Sequence, residues 1–302
     1  MDQVKLSICI PTNGISEWVI PVLDSIYNQN INENDFEVVV TDNGANDEFK
    51  NQMLNYQKRV TNLRYEKTEC KGFTNQIRSF ELANGEFIKF LNHRMLMKEN
   101  ALQYILDFID KNRETKPYIY FSNGQLGFDG MHCLKSFDNF AYEMSYWLSW
   151  SSGIGLWKSD FDQIHLDQNY SDLFPHLNVI FPFTNKNQYI IDNTLLTEEI
   201  KFDNKKKGSY NLFHAFGVEF IRCISDLFTK DQISSKTYDH IKDENEKFLT
   251  DLYFTYVVLK KPGSYDLSHA KESLNVYYNY NKIKKQAYKE LLSTIKRKLK
   301  FK

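Results

Sequence analysis

The first 122 residues alternate between short apolar runs rich in β-formers and longer amphipathic stretches, and this alternation leaves few folds open. "VKLSICI" (4–10), "FEVVVTDNG" (36–44), "NLRYEK" (62–67), "EFIKFL" (86–91) and "YIYFS" (118–122) read as strands. Between them, residues 16–29, 47–59, 73–85 and 99–112 carry apolar side chains at helical spacing; Trp18, Val22 and Ile26 recur every fourth residue, with Ser16 in reach of the N-cap, and Gly85 stands where a helix would stop. Pro21 lies inside the first of these helices and predicts a kink or a late start. Strands alternating with helices predict an α/β fold with a mostly parallel sheet flanked by helices. In such sheets ligands bind outside the carboxyl ends of the strands. The strand ends here read "PTNG", "TDNG" and "LNHR", so these three loops are expected to converge on one crevice.

The pattern changes near residue 200. "DNKKKGS" (203–209) is a polar break, and residues 210–228, 231–260 and 270–300 read as helices. We therefore expect an α/β domain over 1–205 and a helical region over 206–302. The four cysteines, Cys9, Cys70, Cys133 and Cys223, are far apart and form no CxxC pair, which predicts reduced thiols in a cytoplasmic protein rather than zinc ligands or a disulfide framework. "LSICI" is too short for the apolar core of a signal peptide, and no apolar run has the length of a membrane span.

A nucleotide suits the expected crevice, yet neither GxGxxG nor GxxxxGK[ST] occurs. What the strand ends offer instead is Asp42, an acid able to accept hydrogen bonds from a ribose or base. "LSICIPTNG", "FEVVVTDNGANDEF" and "KGFTNQIRSFELANGEFIKFLN", followed by "LMKENAL", resemble in order and spacing the family 2 glycosyltransferases of the GT-A fold. The closest flavour is the bacterial surface-polysaccharide group that includes abequosyltransferase-like enzymes. The resemblance covers about residues 4–110, with a weaker echo in "WSSGIGLWKSDF" (150–161) and "LFPHL" (173–177). It implies a glycosyltransferase that uses a nucleotide diphosphate sugar, with a donor half to about residue 115 and an acceptor half over about 116–205. Pro11, Thr12 and Asn13 would lie near base and ribose, Asp42 and Asn43 would hold them, and Lys71, Gly72, Asn75 and Arg78 would close over the nucleotide. Trp150, Ser152, Gly153 and His176 fall on the acceptor side.

The family's metal-binding DXD carboxylates would fall on Asn92 and Arg94 of "Asn92-His93-Arg94". Mg²⁺ and Mn²⁺ want anionic oxygen ligands, so this replacement disfavours a metal cofactor. Arg94 is a permanent cation whose fork matches phosphate oxygens and can take over the metal's electrostatic task, with a protonated His93 as second donor. An inverting transfer also needs a general base for the acceptor hydroxyl. Asp172 leads the candidates, Asp167 follows, and Asp160 and Asp162 lie nearby.

The formal net charge of −1 conceals an asymmetry: residues 281–302 carry nine Lys/Arg against Glu290 alone, leaving −9 on the preceding 280 residues. Ile283, Ala287, Leu291, Ile295 and Leu299 recur every fourth residue among these cations. A basic amphipathic helix suits an anionic membrane surface and a lipid-linked glycan acceptor; it equally suits packing on its own domain. The acidic body argues against nucleic acid as a partner. A catalytically inactive module of the same fold and a nucleotidyltransferase are the other readings open at this stage.

Overall fold

The computed structural model describes residues 4–164, 171–201 and 209–300, with side chains described to residue 293. Two compact units emerge, one of residues 1–140 and 150–202, the other of 141–149 and 203–302. The excursion of Ala141–Ser149 into the second unit has no signal in the sequence.

In the first unit, strands β1 (Leu6–Thr12), β2 (Phe36–Asp42), β3 (Leu63–Lys67) and β4 (Phe87–Phe90) pair in parallel in the order β3-β2-β1-β4. The sheet continues from β4 through β8 (Ile154–Trp157), β6 (Tyr118–Phe121) and β9 (Tyr189–Asp192) to the edge strand β7 (Met131–Leu134). β8 runs antiparallel to both its neighbours, and β7 is antiparallel to β9. A separate ribbon pairs β5 (Met95–Met97) with β10 (Thr197–Glu199). The sheet is thus mostly parallel with helices against it, the architecture expected of the sequence. β5 and β7–β10, each of three or four residues, are not among the expected strands.

Helices α1 (Ser16–Tyr27), α2 (Asp47–Gln57), α3 (Asn75–Glu81) and α4 (Ala101–Asn112) link or follow these strands. Trp18, Val22 and Ile26 of α1 are buried, and Pro21 is accommodated inside it. Ile15, not Ser16, takes the cap position. Asn46 caps α2 by accepting from the amides of Glu48 and Phe49. α3 ends at Glu81, four residues before Gly85, so Gly85 does not serve as its stop. β1 and β2 carry continuous apolar runs because both of their faces are covered, as parallel strands require. Their Leu6, Ile8, Ile10, Val38 and Val40 share one core with Val19, Leu23, Phe87 and Leu102.

The second unit is helical over Leu212–Thr229, Ser235–Val258, Ala270–Tyr277 and Tyr280–Lys300. The stretch 270–300, read as one helix, breaks at Tyr278, whose backbone is extended (φ −129°, ψ −176°). Asn279 restarts it by accepting from the Lys282 amide. Residues 202–208, which hold most of the polar break, lie outside the described residues.

Candidate nucleotide and transfer site

β2, β1 and β4 are parallel neighbours, so "TDNG", "PTNG" and "LNHR" open at one edge of the sheet, where the strand order turns back on itself. Hydrogen bonds knit these loops together. The Asn43 amide donates to the Thr12 carbonyl at 3.1 Å, and Thr12 Oγ1 lies 2.8 Å from His93 Nδ1. Gly44 admits no side chain, because a Cβ there would stand 2.0 Å from the Asn13 carbonyl oxygen. Convergence expected from alternation alone is what the sheet order produces.

Asp42 closes β2 and is fully buried. One carboxylate oxygen accepts from the Gly44 amide at 2.7 Å; the other accepts from the Tyr65 hydroxyl at 2.9 Å and from Lys67 at 3.3 Å. Tyr65 and Lys67 alternate on β3 and share a face beside Asp42, a pair that "NLRYEK" carried at period two and that our reading passed over. Burial and the bond to Asp42 raise the Tyr65 phenol, so it stays a donor.

Asn43 Nδ2 donates to the carbonyls of Cys70 and Gly72, which seats the 70–72 loop at the same edge. Lys71 and Gly72 are exposed there, and Gly72 takes a positive φ of 52°. Asn75 is buried, with Nδ2 donating to the Thr41 and Thr12 carbonyls and Oδ1 accepting from Thr68. Its amide splices α3 to the ends of β1 and β2. Arg78 points elsewhere: its guanidinium grips Glu66 at 2.7 Å and Glu81 at 2.9 Å. Pro11 is half-buried within β1 and Asn13 is exposed.

The 92–94 turn is held by Asn92 Oδ1, which accepts from the Arg94 amide at 3.1 Å and from Arg94 Nε at 3.4 Å. Arg94 lies over the Trp18 ring at 5.5 Å, and Trp18 meets the His93 ring edge-on at 5.0 Å. The Arg94 carbonyl accepts from Ile200, so the β5–β10 ribbon anchors the turn. Burial, with the Arg94 charge adding to it, pushes His93 down to about 3. This corrects the expectation of a protonated His93: the ring is neutral, and we assign the Thr12 hydroxyl as donor to Nδ1 with the proton on Nε2. The donor set of the turn does not fit a hard divalent cation. It offers one amide oxygen already engaged, a neutral imidazole and a guanidinium.

Of the residues expected on the acceptor side, Trp150 and Ser152 are half-buried, and Gly153 and His176 are buried. The His176 ring stands edge-on to Phe174 at 6.0 Å. Asp160 pairs with Lys186 at 2.5 Å and Asp162 with Lys158 at 2.5 Å, so both carboxylates have cation partners. Asp172 is exposed, and Asp167 lies outside the described residues.

Residues 7–154 match the family model described as glycosyl transferase family 2. That stretch, just under half of the chain, is similar to a family 2 glycosyltransferase domain. Among curated proteins none matches the chain. Solved structures similar to it include S. aureus TarS, at 16% identity and TM-score 0.57, covering 83% of this chain and 44% of that one. Residues 1–349 of TarS in complex with UDP-GlcNAc align with TM-score 0.61 at 14% identity, over 91% of this chain and 79% of that one. The same TarS fragment in complex with UDP gives TM-score 0.56 at 16% identity, over 86% and 76%. The chain thus spans less than half of the longer TarS chain, and at these identities the likeness concerns the fold. Within the matched stretch, β1, β2 and β4 open their carboxyl ends on one edge of the sheet.

Among the described residues no helix is long and apolar enough to cross a membrane. Ile283 and Ala287, the start of the apolar row in the basic helix, are fully buried in their own unit. Around them Tyr280 meets the Tyr253 hydroxyl, Lys282 pairs with Glu246 at 2.7 Å and Gln286 lies beside Thr250. That helix therefore uses these two residues for packing, while Tyr288 and Leu292 remain 46% and 59% exposed.

Proposed function

We propose that the chain transfers a sugar from a nucleoside diphosphate donor to a glycan acceptor, with inversion and without a metal. The observation that carries this reading is the junction of Asp42, Thr12 and the Asn92-His93-Arg94 turn at one sheet edge. Asp42 and Asn43 hold base and ribose, with Pro11 and Asn13 beside them. The exposed Lys71–Gly72 loop closes over the nucleotide, Asn43 seats that loop, Asn75 holds α3 to the ends of β1 and β2, and Arg78 serves the scaffold through its glutamates. Arg94 meets the diphosphate as charge develops on it, and neutral His93 supplies an Nε2–H donor. The acceptor hydroxyl attacks the anomeric carbon while the bond to the phosphate oxygen breaks. Its proton passes to Asp172, the exposed carboxylate after the acceptor segment.

The acceptor fits best as a bacterial surface glycan of the abequosyltransferase-like group, because the strand-end segments resemble that group. Uridine donors head the test panel, since the similar TarS fragment is found with UDP and UDP-GlcNAc. Calorimetry with UDP, CDP, GDP and TDP in the presence of EDTA should give one diphosphate binding in the micromolar range, roughly −8 kcal/mol. Binding by none of the four would point to an inactive module.

The exposed Tyr288 and Leu292, among the lysines of 281–302, support a peripheral contact with anionic membrane. Flotation with phosphatidylglycerol vesicles should recover the whole chain and lose a form truncated before residue 288. Equal flotation of both would remove the tail from the account.

A further inference from the structure

Lys89 sits in the middle of the sheet, 6% exposed. Its register partners, Ile8 on β1 and Gly155 on β8, are uncharged, and its ammonium lies 5.3 Å above the Phe121 ring of β6. Among the described residues it meets no carboxylate. Nζ instead donates to two backbone carbonyls, Phe90 at 2.7 Å and Ser152 at 2.9 Å. A cation buried without a counter-charge costs stability, and its apolar surroundings would take a hydrophobic side chain. Burial alone lowers this lysine to about 7.

Its two acceptors belong to two different segments of the proposed site. Phe90 ends β4, two residues before the Asn92-His93-Arg94 turn, and Ser152 lies in the acceptor-side loop. Besides the local bond from the Ile154 amide to the Ser151 carbonyl, three carbonyls of that loop are tied: Trp150 by the Tyr120 hydroxyl at 2.8 Å, Ser152 by Lys89, and Gly153 by the Phe121 amide at 2.7 Å. Gly153 packs so closely that a Cβ would stand 2.3 Å from the Tyr120 ring. Of the three ties, only the Lys89 bond also reaches the strand that delivers the donor-side turn.

We propose that Lys89 is a positioning residue, a buried clasp that holds the Trp150–Gly153 loop in register with the donor-phosphate turn so that acceptor and anomeric carbon meet. The proposal rests on the glycosyl-transfer reading for its consequence, but not for the clasp itself. Lys89→Met keeps the length of the side chain and removes the donor group. Amide hydrogen exchange over residues 150–155 should then accelerate by about tenfold or more, while residues 6–12 and 36–42 stay unchanged. UDP affinity should stay within about twofold, and transfer from UDP-GlcNAc to a panel of methyl glycosides should fall by about tenfold relative to hydrolysis of the same donor. Lys89→Gln, a neutral donor, should fall between the two and stands in if the methionine variant does not fold.

Unchanged exchange over 150–155 would overturn the clasp, and an unchanged ratio of transfer to hydrolysis would overturn its role in catalysis. If the wild type turns over no donor, the failure belongs to the glycosyl-transfer reading. The exchange comparison then still decides whether Lys89 holds the loop.

Discussion

Replacing Arg94 with methionine should lower donor turnover by about 10²–10³-fold while leaving the fold in place. The loss should fall on kcat rather than KM, because the charge that Arg94 meets grows as the glycosidic bond breaks and peaks in the transition state. The guanidinium lies 5.5 Å over Trp18, a contact worth about 0.5–1 kcal/mol at a partly exposed site, and its Nε bond to Asn92 is long at 3.4 Å. Mn²⁺ should not restore the variant, since Asn92 offers one neutral oxygen where a divalent cation wants carboxylates. Arg94→Lys should recover part of the rate, keeping the charge but losing the fork. A methionine variant with wild-type kcat in a coupled nucleotide-release assay would end the assignment.

Lys89 gives the second large effect, this time on stability against pH. The group titrates near 7 in the folded chain and at 10.5 in its ordinary state. Below pH 7 both states are protonated, and the folded one bears the full cost of a buried cation. Between about 7 and 10.5 the unfolded chain holds a proton that the folded chain lacks, so stability rises with pH across that window. A shift from 10.5 to about 7 corresponds to roughly 3–5 kcal/mol, part of which the two carbonyl bonds recover. Lys89→Met should therefore be more stable than wild type at pH 6, by about 2 kcal/mol in urea denaturation. Its advantage should shrink steadily between pH 7 and 9. An advantage that does not change with pH would mean that Lys89 is not a buried cation. A variant more stable and less active is what a residue retained for function at the expense of stability should give.

The α/β part of the fold was legible because its signals are local. Continuous apolar strands and Trp18-Val22-Ile26 spacing each need fewer than ten residues to register. The convergence of Thr12, Asn43 and His93 followed from the same alternation, since parallel strands open their carboxyl ends on one edge. What stayed hidden depends on long-range pairing. Tyr65 and Lys67 matter because β3 lies beside Asp42, and Lys89 because β8 runs back antiparallel and presents the Ser152 carbonyl to it. A lysine between apolar neighbours in "FIKFL" was itself a signal, a charge inside a strand that should be buried on both faces. His93 was misread for a related reason: its protonation depends on burial against Trp18 and on the Arg94 charge, neither of which a turn sequence displays. The basic helix shows the limit of periodicity, since Ile283 and Ala287 would recur alike whether they face a membrane or their own unit.

The central claim is nucleotide-sugar turnover that relies on Arg94 in place of a metal. It is met most directly by following UDP release from UDP-sugars by the wild-type chain, with EDTA in one arm and Mn²⁺ in the other. Turnover in EDTA should lie within about twofold of that in Mn²⁺ if the leaving diphosphate is stabilised by a fixed guanidinium rather than by a bound cation. Turnover that appears only when Mn²⁺ is supplied would contradict it.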